Sequence, residues 1–173
     1  LREGPLPALA PGAELWLDGG HNPAAGDALA QFLAGLPKRP TYLICGMLNT
    51  KDISGYLAPL RKVSETLFSV SIPNEVNTLS ADDTARNAAA VGFDAHSAQT
   101  VDAALHAISV QAPHARIVIC GSLYLAGMIP TQNRWAGAFI AQDHALFCAQ
   151  SAACISRKRL AVRSNSKLPS PSR

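Results

Sequence analysis

Short apolar runs that stop at polar or glycine-containing turns, each followed by a stretch with helical apolar spacing, recur through the first 131 residues of this chain. No other feature limits its fold so strongly. The first run is Glu14 to Leu17, and a helix from about Pro23 to Leu36 follows it with Leu29, Phe32, Leu33 and Leu36 at helical spacing. Pro37 and Pro40 bracket a turn, Tyr42-Leu43-Ile44-Cys45 stops at Gly46, and Ile53, Tyr56, Leu57 and Leu60 mark the next helix. Thr66 to Ile72 reads as a third strand by its β-branched, alternating pattern. Ser80 caps a further helix whose first turn holds Asp82 and Asp83, where the helix dipole favours acids, and Gly92 is its stop. Residues 93–97 read as a short connection, Val101, Leu105 and Ile108 as a helix, Arg116 to Cys120 as a strand, and Leu123 to Met128 as a last helix. This alternation predicts an α/β fold with a mostly parallel sheet, flanking helices and right-handed crossovers. Functional residues in such sheets gather beyond the carboxyl ends of the strands.

With 173 residues, 48% of them hydrophobic, the chain can bury one sizeable core and carry an appendage. The expected organisation is an irregular leader or linker over residues 1–12, which hold three prolines and two glycines, an ordered domain over 13–131, and a basic, poorly ordered extension over 132–173. Charge divides the same way: residues 1–131 hold 8 Lys/Arg against 11 Asp/Glu, and the remainder holds 7 against Asp143 alone. The run Arg157-Lys158-Arg159 lacks aromatic–basic alternation, so neither nucleic acid nor membrane is an expected partner. Four scattered cysteines without CxxC or zinc spacing argue for a reducing, cytoplasmic setting and against a metal held by this chain. No segment has the roughly 20 apolar residues of a membrane span, and the amino terminus has neither a signal-peptide pattern nor an initiator Met, so the chain reads as a piece of something longer.

Three strand ends carry unusual chemistry: Asp18-Gly19-Gly20-His21-Asn22-Pro23, Gly46-Met47-Leu48-Asn49-Thr50-Lys51-Asp52, and Gly121-Ser122-Leu123-Tyr124-Leu125-Ala126-Gly127. In the first, glycine lets the backbone approach a ligand, Asn22 suits a helix N-cap and Pro23 a first helical turn. Asp18 can position a ligand or satisfy loop amides, His21 can be a ligand contact or a loop histidine, and Ser122 can hold a ligand or cap a helix. Asp52 can cap the helix after it. His96, His106, His114 and His144 join no constellation and read as surface or loop residues, and Cys120 reads as a small core residue.

Taken together and in this order, the three loops resemble the carboxy-terminal domain of folylpolyglutamate synthase/dihydrofolate synthase, of the ATP-dependent Mur ligase superfamily, over roughly residues 13 to 129. The family patterns DGAHNP, DKD after a GML-like turn, and GSLYLAGE stand here as DGGHNP, NTKD and GSLYLAGM, with Thr50 and Met128 in place of usual acids. The resemblance implies a Rossmann-like sheet of the Mur ligase C-terminal type. It also implies an ATP-dependent ligase that adds L-glutamate to dihydropteroate or a folate through an acyl phosphate.

ATP and Mg2+ are the implied cofactors, with the metal ligands and the glycine-rich phosphate loop in an amino-terminal ATPase domain. No GxxxxGK[ST] occurs here, so the chain alone is expected to be inactive, and a monomer is the expected state. By the same resemblance Asp18 contacts the nucleotide, His21 and Lys51 are catalytic, and Asn22, Lys51 and Ser122 bind substrate, Lys51 as an anchor for the glutamate carboxylate. A noncatalytic module that binds a nucleotide or amino acid is the alternative, and a basic-tailed interaction protein is a further one.

Overall fold

A computed structural model describes residues 4–129. Five strands, β1 (Glu14–Leu17), β2 (Thr41–Cys45), β3 (Thr66–Ser69), β4 (Asp94–Ser97) and β5 (Arg116–Cys120), form one sheet in the order β1-β5-β2-β3-β4. Every pairing is parallel. Six helices alternate with them: α1 (Pro5–Leu9), α2 (Pro23–Ala34), α3 (Ile53–Leu60), α4 (Ala81–Ala90), α5 (Val101–Gln111) and α6 (Leu123–Met128). The sheet is thus α/β and wholly parallel, as the alternation predicts.

β5 lies between β1 and β2, and all five of its residues are buried. Its side chains divide between two cores, as the two-residue period of a strand requires. Ile117 and Ile119 join Leu15, Ile44, Phe68, Leu105 and Ile108 on the face covered by α5. Val118 and Cys120 join Leu43, Cys45, Leu67, Tyr56 and Leu57 on the face covered by α2, α3 and α4. Burial on both faces explains why these strands read as unbroken apolar runs.

Three sequence expectations are corrected, the simplest being that the third strand runs to Ile72: its ladder ends at Ser69. Residues 93–97 are not a plain connection: Asp94 to Ser97 pair with Thr66 to Ser69 as the edge strand β4, which places His96 on a strand, stacked on Phe68 with 5.2 Å between ring centroids. Order does not begin near Ala13 either, because α1 occupies residues 5–9 and buries Leu6 and Ala10 in the Ile117 core. Pro5 at the first turn and Pro7 inside so short a helix remove amide donors that have little or no intrahelical partner there. The expectation for 132–173 lies outside the described residues.

Candidate functional site at the carboxyl edge of the sheet

Parallel strands put all their carboxyl ends on one edge, and the three unusual loops leave that edge from β1, β2 and β5. β1 delivers Asp18, whose amide donates to the Ile119 carbonyl of β5 at 2.9 Å, so the ladder runs up to the residue that begins the loop. The loop then turns on its own side chain, with the Gly20 amide donating to Asp18 Oδ1 at 2.8 Å. Asn22 adopts extended backbone and accepts from the Ala25 amide at 2.9 Å, which starts α2 with Pro23 at its first turn. His21 Nδ1 lies 3.3 Å from the Gly19 carbonyl oxygen.

The other two loops close on this one. Gly19 lies against the Leu123 side chain of the β5 loop. Ser122 is buried and caps α6, its Oγ accepting from the Tyr124 amide at 3.1 Å. On the other side Asp52 caps α3 by accepting from the Gly55 amide at 2.8 Å, and Gly55 faces the Pro23 ring, so the starts of α2 and α3 adjoin. Lys51, one residue earlier, is exposed. The backbone before it is braced by a bridge between Leu48 and Thr78 and by the Asn49 amide donating to the Asn77 carbonyl at 2.9 Å. Asp18, His21 and Asn22 thus share one loop, with Ser122 beside it and Lys51 at the start of the neighbouring helix. Asn22, Asp52 and Ser122 all serve as helix caps, the local role open to each from sequence.

Burial raises the Asp18 carboxyl above its ordinary value of 3.8, against the lowering pull of the Gly20 amide and of His21. Near it lies Tyr56, fully buried, with its hydroxyl unpartnered among the described residues. Burial pushes this phenol well up, and the nearby Cys120, Asp18 and Cys45 add to the effect. The sequence registers Tyr56 only as an apolar helix position, and nothing in the local pattern shows that it lies near Asp18. Cys45 and Cys120 are register partners on β2 and β5, both buried, and their mutual hydrogen bond together with burial raises the Cys45 thiol. Such thiols pack and do not react.

Gly121 joins the β5 loop to the sheet at φ +99°, where a side chain would be strained, and a Cβ there would lie 2.8 Å from both the Cys45 sulfur and the Gly46 carbonyl oxygen. The loops after β2 and β5 therefore touch through bare backbone. Among the described residues no cluster of three or more His, Cys, Asp or Glu is placed to hold a metal ion, and no helix is long and apolar enough to cross a membrane.

Residues 10–132 match the family model described as dihydrofolate synthetase, C-terminal domain. The chain belongs to this family. Solved structures agree with the synthetase assignment. A Mycobacterium tuberculosis folylpolyglutamate synthase complexed with ADP is 28% identical at a TM-score of 0.60, the match covering 65% of this chain and 28% of that one. A bifunctional folylpolyglutamate synthase/dihydrofolate synthase from Yersinia pestis, complexed with AMPPNP and Mn, is 26% identical at 0.54, covering 66% and 27%. A bifunctional enzyme of the same description with Mn, AMPPNP and L-glutamate bound is 29% identical at 0.52, covering 63% and 26%. The chain thus spans little more than a quarter of the length of these relatives. Comparison with curated protein sequences gives no match.

Proposed function

We propose that this domain contacts nucleotide and glutamate in an ATP-dependent amide ligase that joins L-glutamate to dihydropteroate or a folate. The observation that carries the reading is the meeting of the Asp18, Lys51 and Ser122 loops at one edge of the sheet in a chain of this family. Relatives solved with ADP, with AMPPNP and Mn, and with L-glutamate support it. When bound, ATP supplies the phosphoryl group that converts a carboxylate to an acyl phosphate, which the glutamate amino group then attacks.

In this reading Asp18 accepts hydrogen bonds from nucleotide hydroxyls, for which an ionised carboxylate on a rigid strand end is well suited. His21 beside it offsets negative charge at the phosphates. Lys51 supplies a flexible point charge for the glutamate carboxylate, and Asn22 and Ser122 present polar groups at adjoining helix starts. The described residues offer no metal cluster, so Mg2+ would be held by residues of an ATPase domain. Closure of the two domains would exclude water from the acyl phosphate.

The 173-residue chain alone should release no ADP from ATP in the presence of Mg2+, dihydropteroate and glutamate. Joined to an amino-terminal ATPase domain of the family, it should gain glutamate-dependent ADP release. Asp18→Ala should then raise KM for ATP, while Lys51→Ala and Ser122→Ala raise KM for glutamate, each by about 10- to 150-fold for one lost charge-assisted contact of about 1.5 to 3 kcal/mol. Unchanged glutamate dependence in both of the latter, with folding verified, would remove Lys51 and Ser122 from the site. Nucleotide binding without any turnover in the joined protein would favour a noncatalytic binding module.

A further inference from the structure

The opposite edge of the sheet, where the strands begin, carries a second concentration of charge. Thr41 and Arg116 open the adjacent strands β2 and β5, and five residues of strand put this edge about 16 Å from the loops just described. A cleft of about 540 Å³ lies there, with Lys38, Arg39, Lys62 and Arg116 around it and Leu36 and Val63 in its wall. The four cations come from three separate places: the connection between α2 and β2, the turn after α3, and the first residue of β5.

Arg116 is the built part of this arrangement. It is only 3% exposed, its Nε donates to Glu14 Oε2 at 3.0 Å, and its Nη2 donates to the Pro37 carbonyl at 3.1 Å. The second bond fastens the buried guanidinium to the segment that holds Lys38 and Arg39. Arg39 Nη1 reaches the same Glu14 oxygen at 3.8 Å, so one carboxylate serves two guanidinium groups. No carboxylate among the described residues pairs with Lys38 or Lys62. Four cations thus face one acid across a concave surface of ordinary ligand size, and bringing like charges together on fixed backbone is unfavourable unless an anion joins them.

We propose that this cleft binds a small polyanion, a molecule with at least two phosphoryl or carboxylate groups, at a site separate from that of nucleotide and glutamate. Its charge spread requires more than one anionic group, because Lys38 and Lys62 approach from different segments. Its size excludes a long polymer track. The apolar wall favours a ligand with some carbon surface, which separates an organic polycarboxylate from an inorganic polyphosphate by affinity.

The test uses the full 173-residue chain in nitrogen–proton correlation spectra at fixed ionic strength, titrated with inorganic pyrophosphate, with citrate, and with acetate as a singly charged control. Saturable shifts centred on the amides of Lys38 to Thr41, Lys62 and Arg116 are expected with pyrophosphate or citrate and not with acetate. The tighter of the two identifies phosphoryl or carboxylate chemistry. Arg116 is structural, so the diagnostic variant is Lys38→Ala combined with Lys62→Ala, both exposed. It should keep the melting temperature and weaken binding about 5- to 30-fold, as loss of two solvent-exposed ionic contacts implies. Unsaturable shifts, shifts centred on Gly19 to Asn22 or Ser122, or equal affinity in the double variant would each overturn the proposal.

Discussion

At the scale of single residues, Asp18 shows the cost of holding an acceptor ready. Its carboxyl titrates above the ordinary 3.8 because burial disfavours the charged form more than the Gly20 amide and His21 favour it. In the unfolded chain that penalty is absent, so the ionised group opposes folding at pH values above its folded pKa. As pH falls through the folded pKa toward 3.8, both states become protonated and the penalty vanishes. Asp18→Asn, which keeps an oxygen for the Gly20 amide, should therefore melt higher than the parent at pH 7, and the gain should disappear below pH 3.8. Calorimetric melts of both chains from pH 3 to 8 measure this directly. An equal melting temperature at pH 7 would mean that the carboxylate is well solvated. The sequence marks Asp18, His21 and Asn22 clearly, because a polar, glycine-rich break after an apolar run has few structural uses. It cannot show the penalty, which arises from burial of the carboxyl once the chain has folded.

Between elements, α2 and α3 approach each other through bare backbone. Gly26 is buried at the end of the first turn of α2, and a Cβ there would run into the carbonyl of Tyr56. Gly26→Ala gains intrinsic helix propensity of about 1 kcal/mol, yet it must push two helix backbones apart, and overpacking of this kind costs about 1 to 3 kcal/mol. A net loss of stability is expected in urea unfolding, with an unchanged slope. A stabilised variant would show that α2 and α3 can separate freely.

Helices with capping residues or apolar faces are legible from sequence: α2, α3 and α4 follow the caps Asn22, Asp52 and Ser80, while α5 is marked by Val101, Leu105 and Ile108 and its cap, Thr100, emerges only from the structure. β4 was not legible, because an edge strand exposed at Asp94, His96 and Ser97 has no apolar alternation to display. The third strand shows the reverse error. Val70 and Ile72 continue the apolar pattern and are buried, but the ladder ends at Ser69, so burial outlasts pairing.

For the whole molecule, the leader is part of the core. α1 packs on α5, with Leu6 4% exposed and Ala10 2% exposed. Leu6→Ala should cost about 2 to 5 kcal/mol, the range for a buried leucine truncation, and removing residues 1–12 should lower the melting midpoint markedly. Insensitivity of the midpoint to both changes would return this segment to the status of a linker. At the other end, the described helices and strands finish at α6 and the family match finishes at residue 132. A chain ending at Asn133 should melt cooperatively within a few degrees of the parent. Aggregation of the shortened chain would place the domain boundary later.

The position of β5 governs how this fold can be born. Among the described residues, the last strand to leave a ribosome is an interior strand, with Leu15 beside Ile117 and Tyr42 on its other side, so the two parts of the sheet wait as open edges until residues 116–120 thread between them. Closing contacts across some hundred residues is slow, and the waiting edges are templates for self-association. Synthesis interrupted shortly before Arg116 would therefore leave a split, adhesive intermediate and not a domain lacking one strand, which makes the emergence of residues 116–120 the step that ends this exposure.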